Sequence, residues 1–401
     1  MATMTEYADI ATIFQDDEVL TESWTPDDLP ERDEEIEQLR SAFAPATRGA
    51  GADSVFLYGK AGQGKTATAR VELDELHDHA ENESDILDLS SFFISCEGLT
   101  TSFQVVDQIV YQLCGTHMNG MSIGVAFDRM YEEFNKIGGT IILVLDEIDN
   151  IGSDDDILYS VPRARSKNYV DDDVYPSVVG ISNNLKWHSS LSPKVKDSLY
   201  DQSVHFAPYD ANQLGSILRR RAEKAFVNMD VLGDDAIPLA SAFAAQDKGS
   251  ARQAINFLRK AAKLASENDE ETVLEKHVRK AEDLIEKQRV EEGMSSLTTQ
   301  GHLALAATTS LELAEKTPAR TKDIYTVYKK LARRIESEVI TMRRMRDHLN
   351  DLDMQGILIK TVSNTGPRGG KYFKFELSVE AETATDILSD ITRFQDIDLR
   401  L

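Results

Sequence analysis

The stretch Gly59-Lys60-Ala61-Gly62-Gln63-Gly64-Lys65-Thr66 decides the fold of this chain. It follows the apolar run Val55-Phe56-Leu57-Tyr58 and precedes a segment with apolar residues at helical spacing. Glycines let the backbone curl until successive N–H groups point at phosphate oxygens, and the helix dipole adds to the attraction. Because a strand and a helix flank the pattern, it predicts a phosphate-binding loop rather than a chance glycine-rich turn. In that chemistry Lys65 reaches the β- and γ-phosphates, and the Thr66 hydroxyl is a ligand of Mg²⁺.

The composition predicts a cytoplasmic protein of several domains. A chain of 401 residues is too long for one ordinary core, so we expect two or three domains. The longest apolar run, residues 141–145, is too short to span a membrane, and the first residues lack the basic and apolar regions of a secretory signal. Two cysteines cannot make a disulfide framework or a metal cluster, and Cys96 lies in an apolar run typical of the core.

The net charge of −25 leaves two explanations open. Either the protein avoids nucleic acid, whose phosphates need local positive charge, or it works in very high salt, where an acidic surface maintains solubility. Acidic tracts at 154–156 and 171–173 fit the second explanation, although they also fit exposed loops. The charge of individual segments must therefore decide between these two explanations.

Short apolar segments alternate with helical patterns after the loop. This rhythm predicts an α/β fold with a parallel, doubly wound sheet that binds its ligand beyond the carboxyl ends of the strands. The predicted strands are 55–58, 92–96, 141–145, 178–181 and 203–206.

Polar side chains end two of these strands. Asp146 and Glu147 follow the strand 141–145, where the first acid is suited to hold Mg²⁺ and the second to deprotonate an attacking water. Asp149 is either auxiliary or solvated. Asn183 follows the strand 178–181 and either contacts the γ-phosphate or merely begins a turn.

The chain becomes all-helical after residue 209. Asp210 and Gln213 predict a capping box that opens the first helix. Further helices are expected near 235–246, 250–266 and 271–290. Arg252, at the start of one of them, is either a phosphate ligand or a surface arginine.

A third region begins near residue 295 and predicts a winged helix-turn-helix. Helices are expected at 298–314, 320–334 and 337–352, followed by strands at 356–360 and 371–377 around a glycine-rich turn. Between Arg320 and Arg346 nine basic residues stand against three acids. In the last helix, core positions are predicted at Met342, Met345, Leu349 and Leu352.

This basic region predicts duplex DNA binding, with a helix in the major groove and the wing on the adjacent backbone. A protein-interaction module and a solvated basic face are the alternatives. The predicted DNA contacts are Lys322, Thr341, Arg343, Arg344, Arg346, Arg368 and Lys371.

Together these motifs resemble the AAA+ ATPases of the archaeal origin-recognition and cell-division-control initiator family, and the acidity suggests a haloarchaeal member. The resemblance covers roughly residues 13–380. It implies an AAA+ core at 1–209, a helical lid at 210–293 and a winged-helix DNA-binding domain at 294–401. Besides the loop, the similar stretches are 145–149, 180–185, 206–214 and 218–222.

The resemblance also implies roles for individual residues. The stretch from Gly59 to Thr66 becomes the Walker A motif, Asp146 and Glu147 the Walker B acids, and Asn183 and Arg252 sensors one and two. A nucleotide contact is also implied for Ala67, which follows the loop. Nucleotide contacts are further implied for Gly59, Gly62, Gln63, Gly64, Lys65, Thr66, Tyr209 and Arg221, with Arg32 near the adenine. The family's DNA-touching insertion falls within 98–122 and carries few basic residues here.

Two departures from the family pattern bear on hydrolysis. Lys194 stands where the family usually has an arginine finger, and Ser250 where it usually has Asp. Because lysine lacks the planar, multi-donor fork of arginine, we expect a slow or partner-dependent ATPase that acts as a switch.

The function implied is an ATP- and Mg²⁺-dependent replication initiator. Its expected partners are duplex origin DNA, the replicative helicase and paralogous initiator subunits, in the cytoplasm at the nucleoid. An ATP-gated transcriptional or signalling regulator is the alternative, and a clamp-loader-like subunit is a weaker one.

Overall fold

The computed structural model describes residues 13–82, 88–199, 202–364, 371–395, 397 and 399. The chain forms two compact units, one ending at Arg279 and the other beginning at Lys280. Within the described residues, no helix is both long enough and apolar enough to cross a bilayer.

A parallel five-stranded sheet forms the centre of the first unit. Its strands occur in the spatial order β2-β3-β4-β1-β5, with every neighbouring pair parallel. The strands are β1 (Val55–Gly59), β2 (Leu89–Ser95), β3 (Gly139–Asp146), β4 (Val174–Ser182) and β5 (Ser203–Phe206). All five predicted strands, and the α/β class, are confirmed.

Helices cover both faces of this sheet because alternate strand residues point to opposite sides. Ile141 and Leu143 pack in one cluster with α3 and α4, while Ile142 and Val144 pack in the other with α1 and α2. These helices are α1 (Asp33–Phe43), α2 (Lys65–Asn82), α3 (Ser102–Cys114) and α4 (Ile123–Ile137). Cys96 is fully buried, as predicted, and burial raises the pKa of its thiol to about 12.

Short helices follow β3 and β4, and a helical region follows β5. The short helices are α5 (Asp156–Ser160), α6 (Leu185–Ser190) and α7 (Pro193–Leu199). The helical region contains α8 (Ala211–Ala225), α9 (Ala236–Asp247) and α10 (Ala251–Glu267). The capping box predicted at Asp210 and Gln213 opens α8.

Residues 13–28, which the resemblance assigns to the core, contact this helical region. Phe14 stacks on Phe226 with ring centroids 5.4 Å apart. The backbone N–H groups of Gln15 and Asp16 donate to the carbonyl of Ala225 at 2.8 and 3.1 Å. The predicted domain limits at 209 and 293 stay predictions.

The second unit combines helices with a small antiparallel sheet in the order β6-β8-β7. Helix α11 (Glu275–Ser295) runs into it. Its other elements are α12 (Thr299–Leu313), β6 (Ala319–Arg320), α13 (Thr321–Arg334), α14 (Met342–Met354), β7 (Leu358–Asn364), β8 (Lys371–Leu377) and α15 (Ala381–Asp390). The predicted winged helix-turn-helix is confirmed.

Helix α14 begins five residues later than the predicted start at 337. Thr341 has extended backbone angles, and its hydroxyl accepts a hydrogen bond from the N–H of Arg344 at 3.4 Å, so it caps the helix. Met345, Leu349 and Leu352 are buried as predicted. The core position predicted for Met342 is wrong: in the first turn of α14 its side chain is 46% exposed.

Candidate nucleotide-binding site and DNA-binding surface

The sheet order brings the predicted catalytic side chains together. Strand β1 lies next to β4, and β4 lies next to β3. Because parallel strands end at the same edge, the loop after β1 lies close to Asp146 at the end of β3 and Asn183 after β4. One edge of the sheet therefore carries the loop, the acids and the amide.

Lys65 opens α2 and folds back beneath the loop. Its side chain is buried, and Nζ donates to the carbonyl oxygens of Gly59 at 3.0 Å and Lys60 at 2.8 Å, and to Oδ1 of Asn183 at 2.8 Å. Burial disfavours the charged ammonium and lowers the pKa of Lys65 to about 8, although the nearby Asp146 and Asp149 oppose this shift. Lys65 thus lies where phosphate is expected to bind, and its ammonium is poorly solvated there.

The loop glycines are required by conformation and by close contact. Gly62 and Gly64 have φ values of +77° and +89°, a region that favours glycine. A Cβ on Gly62 would lie 2.0 Å from Oγ of Ser250, and one on Gly64 would lie 2.9 Å from the Tyr209 hydroxyl. The backbone N–H of Ala251 also donates to the carbonyl of Gly62 at 2.9 Å. The start of α10 therefore rests directly on the loop.

Thr66 and Asp146 form a donor set suited to Mg²⁺. The Thr66 hydroxyl donates to Oδ2 of Asp146 at 2.7 Å, which places a hydroxyl and a carboxylate oxygen side by side. No cluster of three or more His, Cys, Asp or Glu side chains suited to a metal occurs among the described residues. A hydroxyl and a carboxylate oxygen are the kind of protein ligands that Mg²⁺ takes, with phosphate and water supplying the rest.

Glu147 lies beside this pair in an uncommon backbone conformation. Its φ is +55°, and its N–H donates to Oδ1 of Asp146 at 3.0 Å. Burial, followed by the neighbouring charge of Asp146, raises the pKa of the Glu147 carboxyl. Left-handed conformations at non-glycine residues concentrate at functional sites, so this geometry supports a chemical role.

Asn183 connects the acids with Lys65. Besides accepting from Lys65, its amide Nδ2 donates to Oε1 of Glu147 at 3.3 Å. Its backbone N–H donates to Oδ1 of the half-buried Asp149 at 3.3 Å. The structure thus places Asn183 between Lys65 and Glu147 and gives Asp149 a hydrogen-bond partner, while the roles of both residues stay predictions.

A cleft of about 830 Å³ opens above these groups. This volume lies within the range of small-molecule sites. The cleft is lined by Ala61 to Ala67 of the loop region, by Asp146, Glu147 and Asn183, and by Tyr209, Arg221 and Arg252. Gly59 lies below it at the end of β1. Most of the predicted nucleotide-binding and catalytic residues thus meet in one cavity.

Arg32 does not itself line the cleft. It is 3% exposed behind the loop, where Nε donates to the carbonyl of Gln63 at 3.1 Å and to the Tyr209 hydroxyl at 2.8 Å. Its other nitrogens bind Glu35 at 2.6 Å and the carbonyl of Ala207 at 2.7 Å. Arg32 therefore supports the loop from behind, and its implied place near the adenine stays a prediction.

Lys194 also lies outside the cleft of its own chain. It projects from α7, with Nζ 2.8 Å from Oδ1 of Asp156 and 5.1 Å from the ring centroid of Tyr159. The pKa of Lys194 is raised, first by its hydrogen bond to Asp156. A catalytic contact to nucleotide bound in the same chain does not follow from this position.

The segment 20–30 is the part of the cleft that the sequence analysis missed. Arg221 donates to the carbonyl of Val19 at 2.5 Å and to that of Trp24 at 3.3 Å, and its guanidinium lies 4.2 Å from the Trp24 ring. Burial lowers the pKa of Arg221 to about 10. Arg252 is exposed, with Nε 3.3 Å from Oε2 of Glu22. A signal for this contact was present in the sequence, because the acidic residues of 16–28 are opposite in charge to the three arginines at 219–221.

The DNA-binding residues predicted on α14 form an exposed basic surface. The side chains of Arg343, Arg344 and Arg346 are exposed, as is Lys322 in the first turn of α13. In the described part of the chain, none of these four forms an ion pair, whereas many cations of the first unit do. Lys371 begins β8, and the predicted contact Arg368 falls outside the described residues.

Family models define the class of protein. An AAA ATPase domain matches residues 28–161, a Cdc6 AAA+ ATPase-type lid domain matches 215–283, and a CDC6 C-terminal winged helix domain matches 292–387. The chain is thus an AAA+ protein with a Cdc6-type lid and winged helix, a class that implies nucleotide binding.

Whole-length relatives define the family. ORC1-type DNA replication protein 1 of Haloarcula marismortui is 38% identical over 96% of this chain and 95% of its own length. The ORC1-type DNA replication protein of Pyrococcus furiosus is 38% identical over 94% of this chain and 90% of its own. The structure of the Aeropyrum pernix ORC1 protein in complex with DNA is similar, with a TM-score of 0.79 and 34% identity over 96% of this chain and 98% of that one. The chain belongs to the family of ORC1-type DNA replication proteins, as its motifs suggested.

Proposed function

We propose that this chain is an ATP-dependent DNA replication initiator that binds duplex origin DNA through its winged helix. The observation that carries this proposal is that Arg343, Arg344 and Arg346 of α14 are exposed and, among the described residues, without ion pairs, on a protein of net charge −25. Relatives named as DNA replication proteins and a similar ORC1 structure containing DNA support the same function. Binding ATP in the cleft of the first unit would control this activity.

The cleft residues have complementary tasks toward ATP. Lys65 and the loop N–H groups bind the phosphates, and Thr66 with Asp146 would hold Mg²⁺. When bound there, Mg²⁺ neutralises phosphate charge. Glu147 accepts a proton from water at its carboxylate, for which its raised pKa is favourable, and Asn183 holds that carboxylate through Nδ2. The chain therefore has the groups that ATP hydrolysis requires of a single subunit.

Hydrolysis is expected to be slow, so that bound ATP or ADP acts as a switch. Lys194 lies outside its own cleft and cannot supply the planar fork of an arginine. Turnover by the purified protein without DNA should be low, and Glu147→Gln should lower it further, by about a hundredfold or more, while ATP still binds. Sustained rapid hydrolysis by the protein alone would contradict the switch.

DNA binding is tested by removing charge from the winged helix. Replacing Arg343, Arg344 and Arg368 together by Ala should abolish binding to origin duplex at working salt, because phosphate contacts dominate affinity. A matched control removes the exposed cations Arg48, Lys136 and Lys276 of the first unit and should leave affinity nearly unchanged. Equal affinity of both triple variants would contradict the proposed DNA-binding surface.

Partners beyond DNA belong to the same proposal. Recruitment of the replicative helicase and assembly with paralogous initiator subunits follow from the family's function. Co-purification from cells, with ATP or ADP present, would test both. The alternative of a transcriptional or signalling regulator is not favoured, because the full-length relatives carry replication names.

A further inference from the structure

An acidic strap, residues 16–28, binds the cations of the helical region. Four of its carboxylates form ion pairs with side chains of α8 and α10. Asp28 pairs with Arg220, Asp27 with Lys224 at 2.6 Å, Glu22 with Arg252 at 3.3 Å, and Asp17 with Arg259 at 3.7 Å and Lys263 at 4.0 Å. The strap therefore neutralises positive charge that an anionic ligand would otherwise find.

The same cations face the nucleotide cleft. Arg220, Lys224, Arg252 and Arg259 all line it, together with Glu22 and Asp28 of the strap. Nucleotide phosphates entering the cleft would compete with these carboxylates for the same partners. A group that binds such a cation before ATP arrives raises the cost of ATP binding.

Among these four cations, Arg252 lies next to the phosphate-binding loop. It lies in the first turn of α10, whose Ala251 N–H donates to Gly62 at 2.9 Å. A Cβ on Gly62 would lie 3.3 Å from Cβ of Arg252. The charge of Arg252 also acts on the titration of Lys65 and Glu147. A bound triphosphate would therefore meet Arg252 close to its phosphate end.

The Glu22–Arg252 pair can be exchanged without releasing the strap. Their side chains are 67% and 56% exposed, so the pair is weak and water readily replaces either partner. Arg221 holds the carbonyls of Val19 and Trp24 on both sides of Glu22, and Phe14 stacks on Phe226. Glu22 can swing away while its neighbours remain in place.

We propose that Glu22 competes with the terminal phosphate of ATP for Arg252 and so sets the preference of the cleft for ATP over ADP. This inference rests on the proposed role of Arg252 in ATP binding. ADP has no γ-phosphate, so it leaves the Glu22–Arg252 pair in place. ATP must displace Glu22 before its terminal phosphate can bind Arg252. The unaltered protein therefore prefers ATP over ADP less strongly than it would if Arg252 had no carboxylate partner.

The test compares ATP and ADP binding, each with Mg²⁺, by calorimetry on the full chain in dilute salt. Glu22→Gln should tighten ATP binding about two- to fivefold, as expected for loss of one exposed ion pair, and leave ADP binding unchanged. In molar salt the gain should disappear because exposed charges are screened. In an Arg252→Ala background, Glu22→Gln should give no gain.

Asp27→Asn is the matched control. This substitution removes the same charge from the same strap. Asp27, however, pairs with Lys224 and, unlike Glu22, does not itself line the cleft. It should affect ATP and ADP equally. An unchanged ATP-to-ADP ratio in Glu22→Gln, or a gain that persists without Arg252, would overturn the inference alone. Failure of the unaltered protein to bind ATP would instead overturn the proposed function, and the inference with it.

Discussion

Lys65 shows how a single side chain couples nucleotide binding to proton uptake. Its ammonium donates hydrogen bonds to two carbonyl oxygens and to the amide oxygen of Asn183, and burial lowers its pKa to about 8. Phosphate oxygens would favour the charged form and raise this pKa. The free protein is therefore partly deprotonated at Lys65 above pH 8, and binding must return the proton.

ATP affinity should consequently fall as pH rises through 8. Between pH 7 and pH 9 the Kd should weaken about tenfold, the expected penalty one unit above the pKa of the free group. Calorimetry in two buffers of different ionisation enthalpy would count the proton taken up. Lys65→Arg is the control: arginine stays charged, so its binding, even if weaker, should not vary over this range. A constant Kd for the unaltered protein would contradict the account of Lys65.

The site residues that could be predicted from the sequence are those that directly follow a strand of the parallel sheet. The loop, Asp146, Glu147 and Asn183 each follow a buried apolar segment, and parallel strands necessarily end together. Arg32 and Glu22 follow no such rule. Their partners, Tyr209 and Arg252, lie far along the chain, so only the folded structure reveals their contacts.

At the scale of elements, α1 is linked to the loop and to β5 through Arg32. This arginine precedes α1, donates to Gln63 in the loop and Ala207 after β5, and lies 3.8 Å from the Tyr209 ring. A buried charge with this many partners leaves several polar groups unsatisfied when it is removed. Arg32 should therefore stabilise the first unit even without nucleotide.

Arg32→Ala should lower the stability of the first unit by about 3–5 kcal/mol, the cost of breaking a buried ion pair. Both tryptophans, Trp24 and Trp187, lie in this unit, so their fluorescence during urea unfolding reports on it. Arg48→Ala, at an exposed turn after α1, should change stability by less than about 0.5 kcal/mol. If both variants were equally stable and only Arg32→Ala lost ATP binding, Arg32 would be a nucleotide contact after all.

Elements were predictable to the extent that their hydrophobic pattern was regular. The start of α14 was not, because the residues between α13 and Thr341 are compatible with helix in pattern and are ended only by the cap at Thr341. The two-residue strand β6 gave no periodic signal, since it exists only through its pairing with β8. Local sequence cannot reveal such pairing.

At the scale of the whole molecule, the distribution of charge matters more than its sum. The net charge of −25 argued against nucleic acid, yet the lysines and arginines of α13 and α14, apart from the half-buried Lys329, are exposed. In the first unit, by contrast, acids neutralise the cations around the cleft. Haloarchaeal relatives fit the explanation that the acidity serves solubility in high salt.

Occupancy of this protein on its own chromosome shows directly whether it acts at replication origins. Chromatin immunoprecipitation in growing cells, aligned with a map of replication start sites, gives the measurement. We expect sharp occupancy at one or more replication start sites, and we expect it to be lost when Arg343, Arg344 and Arg368 are replaced by Ala. Occupancy restricted to promoters, with none at replication starts, would contradict it.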